Sequence, residues 1–217
     1  MSRLLRITQL RPHLRLVQPF STEAERLHEL PFKYPEVKGS PIWMEKMRTW
    51  FFRQDVDRDG YLSKGDFEQQ ARRITEFMKL NDEQAKKLMD NRMHIWKYYV
   101  SGDPDNSDTV KIPDVEGKRR FLLAVNSTLR QSFFETFSIH FDGIDLNNDG
   151  EISQEEHAAF FYGYNIPTEF SPEVFKTLDT NNDGHVSREQ FLTAYLDFIF
   201  SEDPDSKHVH FCGPLLK

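Results

Sequence analysis

The sequence contains almost no cysteine: Cys212 is the only one among 217 residues, which excludes an internal disulfide. A single thiol is typical of a reducing compartment, and we interpret it as a small packed side chain. Cys212 and the eight histidines show no nucleophile–base arrangement, so no enzymatic activity is predicted. Apolar runs are also short. None approaches the roughly 18 residues that span a bilayer, so no membrane span is predicted.

The leader, residues 1–22, contains no acidic residue and carries four arginines, Arg3, Arg6, Arg11 and Arg15. With its Leu, Ile and Val residues, this composition is typical of a mitochondrial transit peptide, and a disordered basic tail is the alternative. The predicted location is cytoplasmic, or mitochondrial if the leader is a transit peptide. The chain has 28 basic and 35 acidic residues, so removing the four leader arginines leaves a net charge of −11. An acidic body favours cations and argues against nucleic acid as a partner.

Three twelve-residue stretches alternate oxygen-bearing side chains and carry glycine at position 6. We name them loop one (Asp55–Asp66), loop three (Asp145–Glu156) and loop four (Asp179–Gln190). Ca²⁺ requires roughly six to eight oxygen ligands, which one tight loop supplies from alternating positions and from position 12. Glycine at position 6 allows a left-handed backbone without steric cost. All three loops therefore match the EF-hand calcium-binding template, and each also has an aliphatic residue at position 8: Leu62, Ile152 and Val186.

The template assigns the metal ligands residue by residue. In loop one they are Asp55, Asp57, Asp59, the carbonyl of Tyr61 and Asp66. In loop three they are Asp145, Asn147, Asp149, the carbonyl of Glu151, and Glu156, with Ser153 acting through water. In loop four they are Asp179, Asn181, Asp183, the carbonyl of His185, and Gln190.

Position 12 ranks the three loops. Glu156 has the length and charge that suit Ca²⁺, so loop three has the best predicted geometry. Asp66 is one methylene shorter, which favours a smaller cage that Mg²⁺ also tolerates. Gln190 offers a neutral amide, so loop four is predicted to be the weakest of the three.

A fourth stretch matches the template only in part. Placing Val110 at position 8 gives loop two as Asp103–Asp114, with Pro104 stiffening position 2 and Asp108 replacing the glycine. Its candidate donors are Asp103, Asp105, Ser107, the carbonyl of Thr109, and Asp114. Two interpretations stay open: a weak metal site, or a purely structural partner for loop one.

Helical periodicity and capping signals flank these loops. Apolar residues recur at helical spacing over 42–54 and again over 67–78, before and after loop one. Asn81 with Gln84 predicts a helix N-terminus, and Ser171 with Pro172 predicts another. The C-terminal segment is too apolar for a free end, so it is predicted to fold back on the core. Its histidines, His208 and His210, are interpreted as polar tail residues rather than metal ligands.

The predicted fold is all-α: a compact globule of two EF-hand pairs, with short β contacts between the paired loops. The pairs are assigned to residues 23–126 and 127–217. Thirteen of the nineteen phenylalanines lie from Phe121 onward, whereas the six methionines lie at or before Met93. Sensor proteins open Met-rich grooves for target helices, so this aromatic composition favours a closed, monomeric ion binder. A protein target cannot be identified from the sequence.

The chain resembles the invertebrate sarcoplasmic calcium-binding proteins, and among them the calexcitin-like members. The resemblance rests on four hands of unequal quality, Asp66–Phe67 closing loop one, the segment Phe160–Pro167, and the tail ending HFCGPLLK. It implies a compact all-α molecule that acts as a Ca²⁺/Mg²⁺ buffer or in calcium signalling. Gln190 and the basic leader depart from the family pattern.

A second resemblance points to a different function. Coelenterazine-binding proteins and calcium-regulated photoproteins share the four-hand arrangement and enclose a luciferin between the pairs. Trp43, Trp50 and Trp96 are candidates to line such a cavity. The alternative function is therefore a calcium-triggered luciferin carrier.

Overall fold

The computed structural model describes residues 33–216. The predicted leader, residues 1–22, lies outside the described residues. No helix in residues 33–216 is both long enough and apolar enough to cross a membrane.

Helices alternate with very short strands along the chain. The N-terminal half contains α1 (Pro41–Gln54), β1 (Tyr61–Ser63), α2 (Lys64–Met78), α3 (Asp82–Ile95), β2 (Lys111–Pro113) and α4 (Asp114–Val125). The C-terminal half contains α5 (Ser132–Asp142), β3 (Glu151–Ser153), α6 (Gln154–Gly163), α7 (Ser171–Leu178), β4 (His185–Ser187) and α8 (Arg188–Phe200). A π-helical turn, Trp96–Val100, extends α3, and 3-10 turns lie at Ser107–Thr109, Thr128–Gln131 and Thr168–Phe170. This confirms the predicted all-α class.

The strands join the loops in two pairs. β1 pairs antiparallel with β2, and β3 pairs antiparallel with β4. Ile152 faces Val186, as their common position 8 predicts. Leu62, however, faces Ile112 and not Val110. The predicted register of loop two was therefore wrong by two residues.

Most predicted helix ends agree with the structure. α1 covers the predicted stripe, and Asn81 caps α3 by accepting a hydrogen bond from Gln84 N at 3.0 Å. Ser171 is the exception, because the N-cap position of α7 falls on Phe170. The Ser171 hydroxyl lies 2.8 Å from His157 Nδ1 instead. A buried hydroxyl needs a partner, and this one finds it on α6.

Aromatic side chains fill the interior between the two pairs. Across the pairs, α2 packs on α6, α3 on α5 and α1 on α8. Tyr195 on α8 lies at the centre, stacked 3.8 Å from Phe137 and 4.7 Å from Phe211. Trp50 Nε1 donates a hydrogen bond to the Tyr195 hydroxyl at 3.1 Å. The aromatic residues of α1, α5 and α8 thus belong to one core.

The C-terminal segment folds back against this core, as predicted. Phe211 and Cys212 are buried, and Leu216 N donates to Thr49 Oγ1 at 2.9 Å. Burial raises the pKa of the Cys212 thiol to about 12, which suits a packed side chain. His208 differs from the prediction. It is buried, with Nδ1 3.0 Å from Asp197 Oδ2, so it anchors the segment to α8.

We predict an acid-sensitive stability that depends on His140. Burial, with the nearby Arg92 charge, holds the pKa of this imidazole well below its ordinary 6.5. The unfolded chain binds the proton near pH 6.5 and the folded chain does not, so stability falls as pH drops below that value. His140→Leu is expected to flatten the dependence, measured by urea unfolding at pH 7 and pH 5 in chelator. The exposed His94→Leu is the control, and an equal flattening there would contradict the assignment.

Candidate metal centre

Loops one, three and four share one backbone shape. Position 6 has a left-handed backbone in each: Gly60 at φ 85°, Gly150 at 91° and Gly184 at 87°. Position 4 is left-handed as well: Arg58 at 63°, Asn148 at 58° and Asn182 at 60°. The left-handed backbone at position 4 was not predicted from the sequence, although asparagine tolerates this conformation and occupies the position in loops three and four. Both turns curl the chain so that alternate side chains point inward.

Loop one brings its first three acidic side chains together. Asp55 Oδ2 accepts a hydrogen bond from Gly60 N at 3.0 Å, and Asp59 Oδ1 accepts one from Tyr61 N at 2.9 Å. Asp57 Oδ1 accepts one from Asp59 N at 3.1 Å. One carboxylate oxygen from each of the three lies within 4.8 Å of the others. That separation is about twice the Ca²⁺–oxygen distance of about 2.4 Å, so the group fits around one ion.

The position 12 carboxylates of loops one and three are buried and already folded into their loops. Asp66 Oδ1 accepts from Val56 N, and Oδ2 accepts from Ser63 N, both at 2.8 Å. Glu156 makes the same two contacts one loop later, to Leu146 N at 2.9 Å and Ser153 N at 2.8 Å. Burial raises the pKa of Asp66. The shorter Asp66 therefore reaches the same backbone groups as Glu156.

Loop three repeats the inward arrangement of loop one. Asp145 Oδ2 accepts from Gly150 N at 3.0 Å, and Asp149 Oδ1 accepts from Glu151 N at 3.0 Å. The backbone hydrogen bond lowers the pKa of Asp149, with a smaller contribution from Asn147, whose Nδ2 donates to Asp149 Oδ2 at 2.7 Å. The structure thus places the predicted side-chain ligands of this loop around one turn.

A buried oxygen without a partner marks two of the loops. Within the described residues, Asp55 Oδ1 and Asp145 Oδ1 are buried and accept no hydrogen bond. Burial raises the pKa of both carboxyl groups. An unpaired buried carboxylate oxygen is costly, and a cation satisfies it. The residues of loops one and three therefore fit a bound divalent metal ion.

Loop four has the same backbone shape, but its own N–H groups already form hydrogen bonds with its candidate ligand oxygens. Asp179 uses both oxygens, accepting from Asp183 N at 3.2 Å and Gly184 N at 2.9 Å. Gln190 Oε1 accepts from Ser187 N at 2.7 Å, and its Nε2 donates to Asn181 Oδ1 at 3.1 Å. The Gln190 side chain therefore forms a hydrogen bond with Asn181 Oδ1, an oxygen that the template assigns to the metal ion.

The carbonyl ligands predicted at position 7 lie where the paired strands begin. Tyr61, Glu151 and His185 are the first residues of β1, β3 and β4. The strand pairs therefore link the ligand backbone of each loop to its neighbour. Loop two takes part in this pairing through β2.

Loop two does not bring its candidate donors together. With Ile112 opposite Leu62, position 6 falls on Val110, whose φ of −71° is extended rather than left-handed. In this register Glu116 takes position 12, but Arg119 and Arg120 pair with it and lower its pKa to about 2. The donors predicted earlier bond elsewhere. Asp103 accepts from Asn106, and Asp114 pairs with Lys118 at 2.6 Å. This geometry supports the structural interpretation of loop two.

Comparison with known proteins agrees with this geometry. The model of the EF-hand domain pair matches residues 129–196. The sarcoplasmic calcium-binding protein of Perinereis vancaurica tetradentata is 35% identical over 181 residues, covering 82% of this chain and 100% of that protein. The protein of the same name from Hediste diversicolor is 34% identical and covers the same shares.

A luciferin-related protein is also similar in structure. The coelenterazine-binding protein from Renilla muelleri, in its calcium-loaded apo form, aligns with a TM-score of 0.71 and 26% identity. The alignment covers 80% of this chain and 96% of that one. Identity to the two sarcoplasmic calcium-binding proteins is higher and extends over their whole length. The chain is therefore a member of the sarcoplasmic calcium-binding protein family.

Proposed function

We propose that this calcium-binding protein takes up Ca²⁺ mainly in loops one and three, with the ligands that the template assigns, and more weakly in loop four. The observation that carries the proposal is the buried, unpartnered oxygen on Asp55 and on Asp145 within the described residues. Asp179 in loop four has both oxygens hydrogen-bonded, and Gln190 brings no charge. Ligand charge is one of the properties that set EF-hand affinity, so loop four ranks third.

A buffering role fits the interior better than a sensor role. Tyr195 is stacked on both Phe137 and Phe211, and all three side chains are buried. Opening a groove would expose these rings to water, at about 25 cal/mol for each Å² of apolar surface. We infer that ion binding changes the overall shape little and that the protein acts as a monomeric Ca²⁺/Mg²⁺ buffer.

A fluorescent reporter fused to residues 1–30 would separate a mitochondrial from a cytoplasmic location.

Calorimetry of chelator-treated protein is expected to show two tight Ca²⁺ sites and one weaker site. Millimolar Mg²⁺ should compete at loop one, because the short Asp66 side chain favours the smaller cage. Glu156→Gln should remove one tight site, since it neutralises the buried position 12 carboxylate of loop three. Glu155→Gln, one residue away and exposed, is the matched control. Four equal sites, or two tight sites surviving in Glu156→Gln, would contradict the ranking.

Gln190→Glu should tighten loop four at least tenfold, on the order of the effect expected of one added ligand charge. The new carboxylate would no longer donate to Asn181 Oδ1 and would leave that oxygen free. Gln84→Glu is the matched control, because Gln84 holds the same N3 capping position on α3 and is not a predicted ligand of any loop. Calorimetric titration of both variants measures the difference. Unchanged affinity and stoichiometry in Gln190→Glu would show that the account of loop four is wrong.

A luciferin-carrier role is the second candidate, favoured by one cavity between the pairs. It measures about 180 Å³ and is lined by aromatic side chains of both halves, with His140 on its wall. The lining residues include Trp50, Phe51, Phe121, Phe133 and Phe137. Trp43 and Trp96 do not line it, and their indole N–H groups donate to the carbonyls of Ile199 and Ser107. Of the three candidate tryptophans, Trp50 lines this cavity, and Trp43 and Trp96 do not.

The volume of this cavity argues against a bound luciferin. Ligand pockets usually enclose about 300–1,000 Å³, more than this one offers. We expect coelenterazine to cause no saturable change in absorbance when titrated into the protein, with or without Ca²⁺. Saturable binding at equimolar protein, lost when Phe121→Trp fills the cavity, would establish the carrier role instead.

A further inference from the structure

Loop three begins differently from loops one and four. In loops one and four the first ligand is itself the residue that ends the preceding helix: Asp55 after α1 and Asp179 after α7. α5 instead ends at Asp142, and Gly143 is its C-terminal cap. Two residues therefore separate this helix from Asp145. Asp145 N still donates to the carbonyl of Phe141 on α5 at 2.9 Å, as the first ligands of loops one and four do to their own helices. The carbonyl of Gly143, between the helix and this ligand, takes its support from outside α5.

That support comes from α3, the helix that leads into loop two. Asn91 Nδ2 donates to the carbonyl of Ile139 at 2.8 Å, and Arg92 Nη2 donates to the carbonyl of Gly143 at 3.2 Å. Carbonyl groups in the last turn of a helix lack intrahelical donors, so side chains commonly satisfy them. Two neighbouring side chains of α3 thus cap the end of α5 just before Asp145.

Burying the charged side chain of Arg92 at this position costs free energy. Its side chain is 0% exposed, and within residues 33–216 no carboxylate pairs with it. Nε and Nη1 have no hydrogen-bond partner there either, so the guanidinium donates to Gly143 and otherwise lies over the ring of Tyr164, 5.3 Å from its centroid. A buried, unpaired charge is a poor source of stability, although the partial negative charge of a helix C-terminus offsets part of its cost. Its location therefore suggests a positioning role.

Gly143 leaves room for this contact. A Cβ atom there would lie 2.9 Å from Asn91 Cγ and 3.3 Å from Arg92 Cζ, closer than ordinary van der Waals contact. Its φ of −90° is open to any residue, so backbone strain does not require the glycine. The close approach of α3 does.

We propose that Asn91 and Arg92 are positioning residues for Ca²⁺ binding in loop three, holding its entrance in the ion-binding shape from the opposite EF-hand pair. The proposal rests on loop three binding Ca²⁺, as argued above. A preformed site binds more tightly because less ordering is needed when the ion arrives, and rigidity is a known determinant of EF-hand affinity. The helix of a hand without its own ligands thereby serves the strongest predicted site.

Each loop carries its own reporter for a test. Gly60 N and Gly150 N donate to the first aspartate of their respective loops, so their amide resonances follow ion binding at loop one and loop three separately. In a Ca²⁺ titration of ¹⁵N-labelled protein, Gly143→Ala should lower the Ca²⁺ affinity that the Gly150 amide reports by about tenfold. The Gly60 response should stay unchanged. A purely structural defect would instead affect both loops or neither.

Four further variants make the test specific. Arg72→Met is the matched control for loss of a helical arginine, because Arg72 is exposed on α2 and lies outside the metal loops. Asn91→Ala, which removes the donor to the Ile139 carbonyl, should weaken Ca²⁺ binding in loop three. Arg92→Met should weaken loop three as well, and Arg92→Lys, which keeps a charged donor, should weaken it less.

The possible failures are distinguishable. If the unmodified protein shows no Ca²⁺-dependent Gly150 shift, the proposed function of loop three itself is wrong. If it shows the shift and folded Gly143→Ala and Arg92→Met titrate with the same affinity, the positioning role is wrong. Equal weakening at Gly60 and Gly150 would also overturn it. Should Gly143→Ala fail to fold, the comparison of Arg92→Met with Arg92→Lys decides the question.

Discussion

The structure depends on holding several carboxylates within a few ångströms of one another. Like charges at this distance repel, and the backbone offsets the repulsion by donating N–H groups to their outer oxygens. Asp55 and Asp145 each receive the amide of the glycine five residues later, which becomes available only because the glycine turns left-handed. The carboxylates can therefore lie close together only in a loop whose sequence allows this backbone turn. The helices supply the rigid ends between which such a loop is stretched.

The second constraint is that a loop of this kind is supported by a neighbour. Loop two has lost the backbone turn and the free carboxylates of its relatives, yet β2 still pairs with β1 in the register that loops three and four use. What remains is the half of the motif that supports another loop. Lys64 bridges to Asp108 across the pair at 2.7 Å, so an acidic residue of loop two meets a lysine of α2. A hand that lacks these ligand groups can therefore keep a structural role.

Local signals in the sequence predicted most of this arrangement. The three loops, the strand pairs, the capping box at Asn81 and the folded C-terminal segment all follow from spacing, turn chemistry and apolar pattern. The errors occurred where the deciding partner is distant in sequence. Val110 and Ile112 are both aliphatic, so either could hold position 8 of loop two. The pairing of Ile112 with Leu62 across the strands decides between them. The hydrogen bond from Arg92 to Gly143 joins residues 51 positions apart, and the sequence around neither residue predicts it.

The buried thiol has a consequence for the conditions under which the protein works. The thiolate is the reactive form of cysteine, and Cys212 is both 4% exposed and held neutral by a pKa of about 12. Oxidants and electrophiles that modify accessible thiolates therefore find little to react with among the described residues. In a tissue where redox conditions change with metabolic work, oxidation of Cys212 would therefore not couple ion uptake to those conditions.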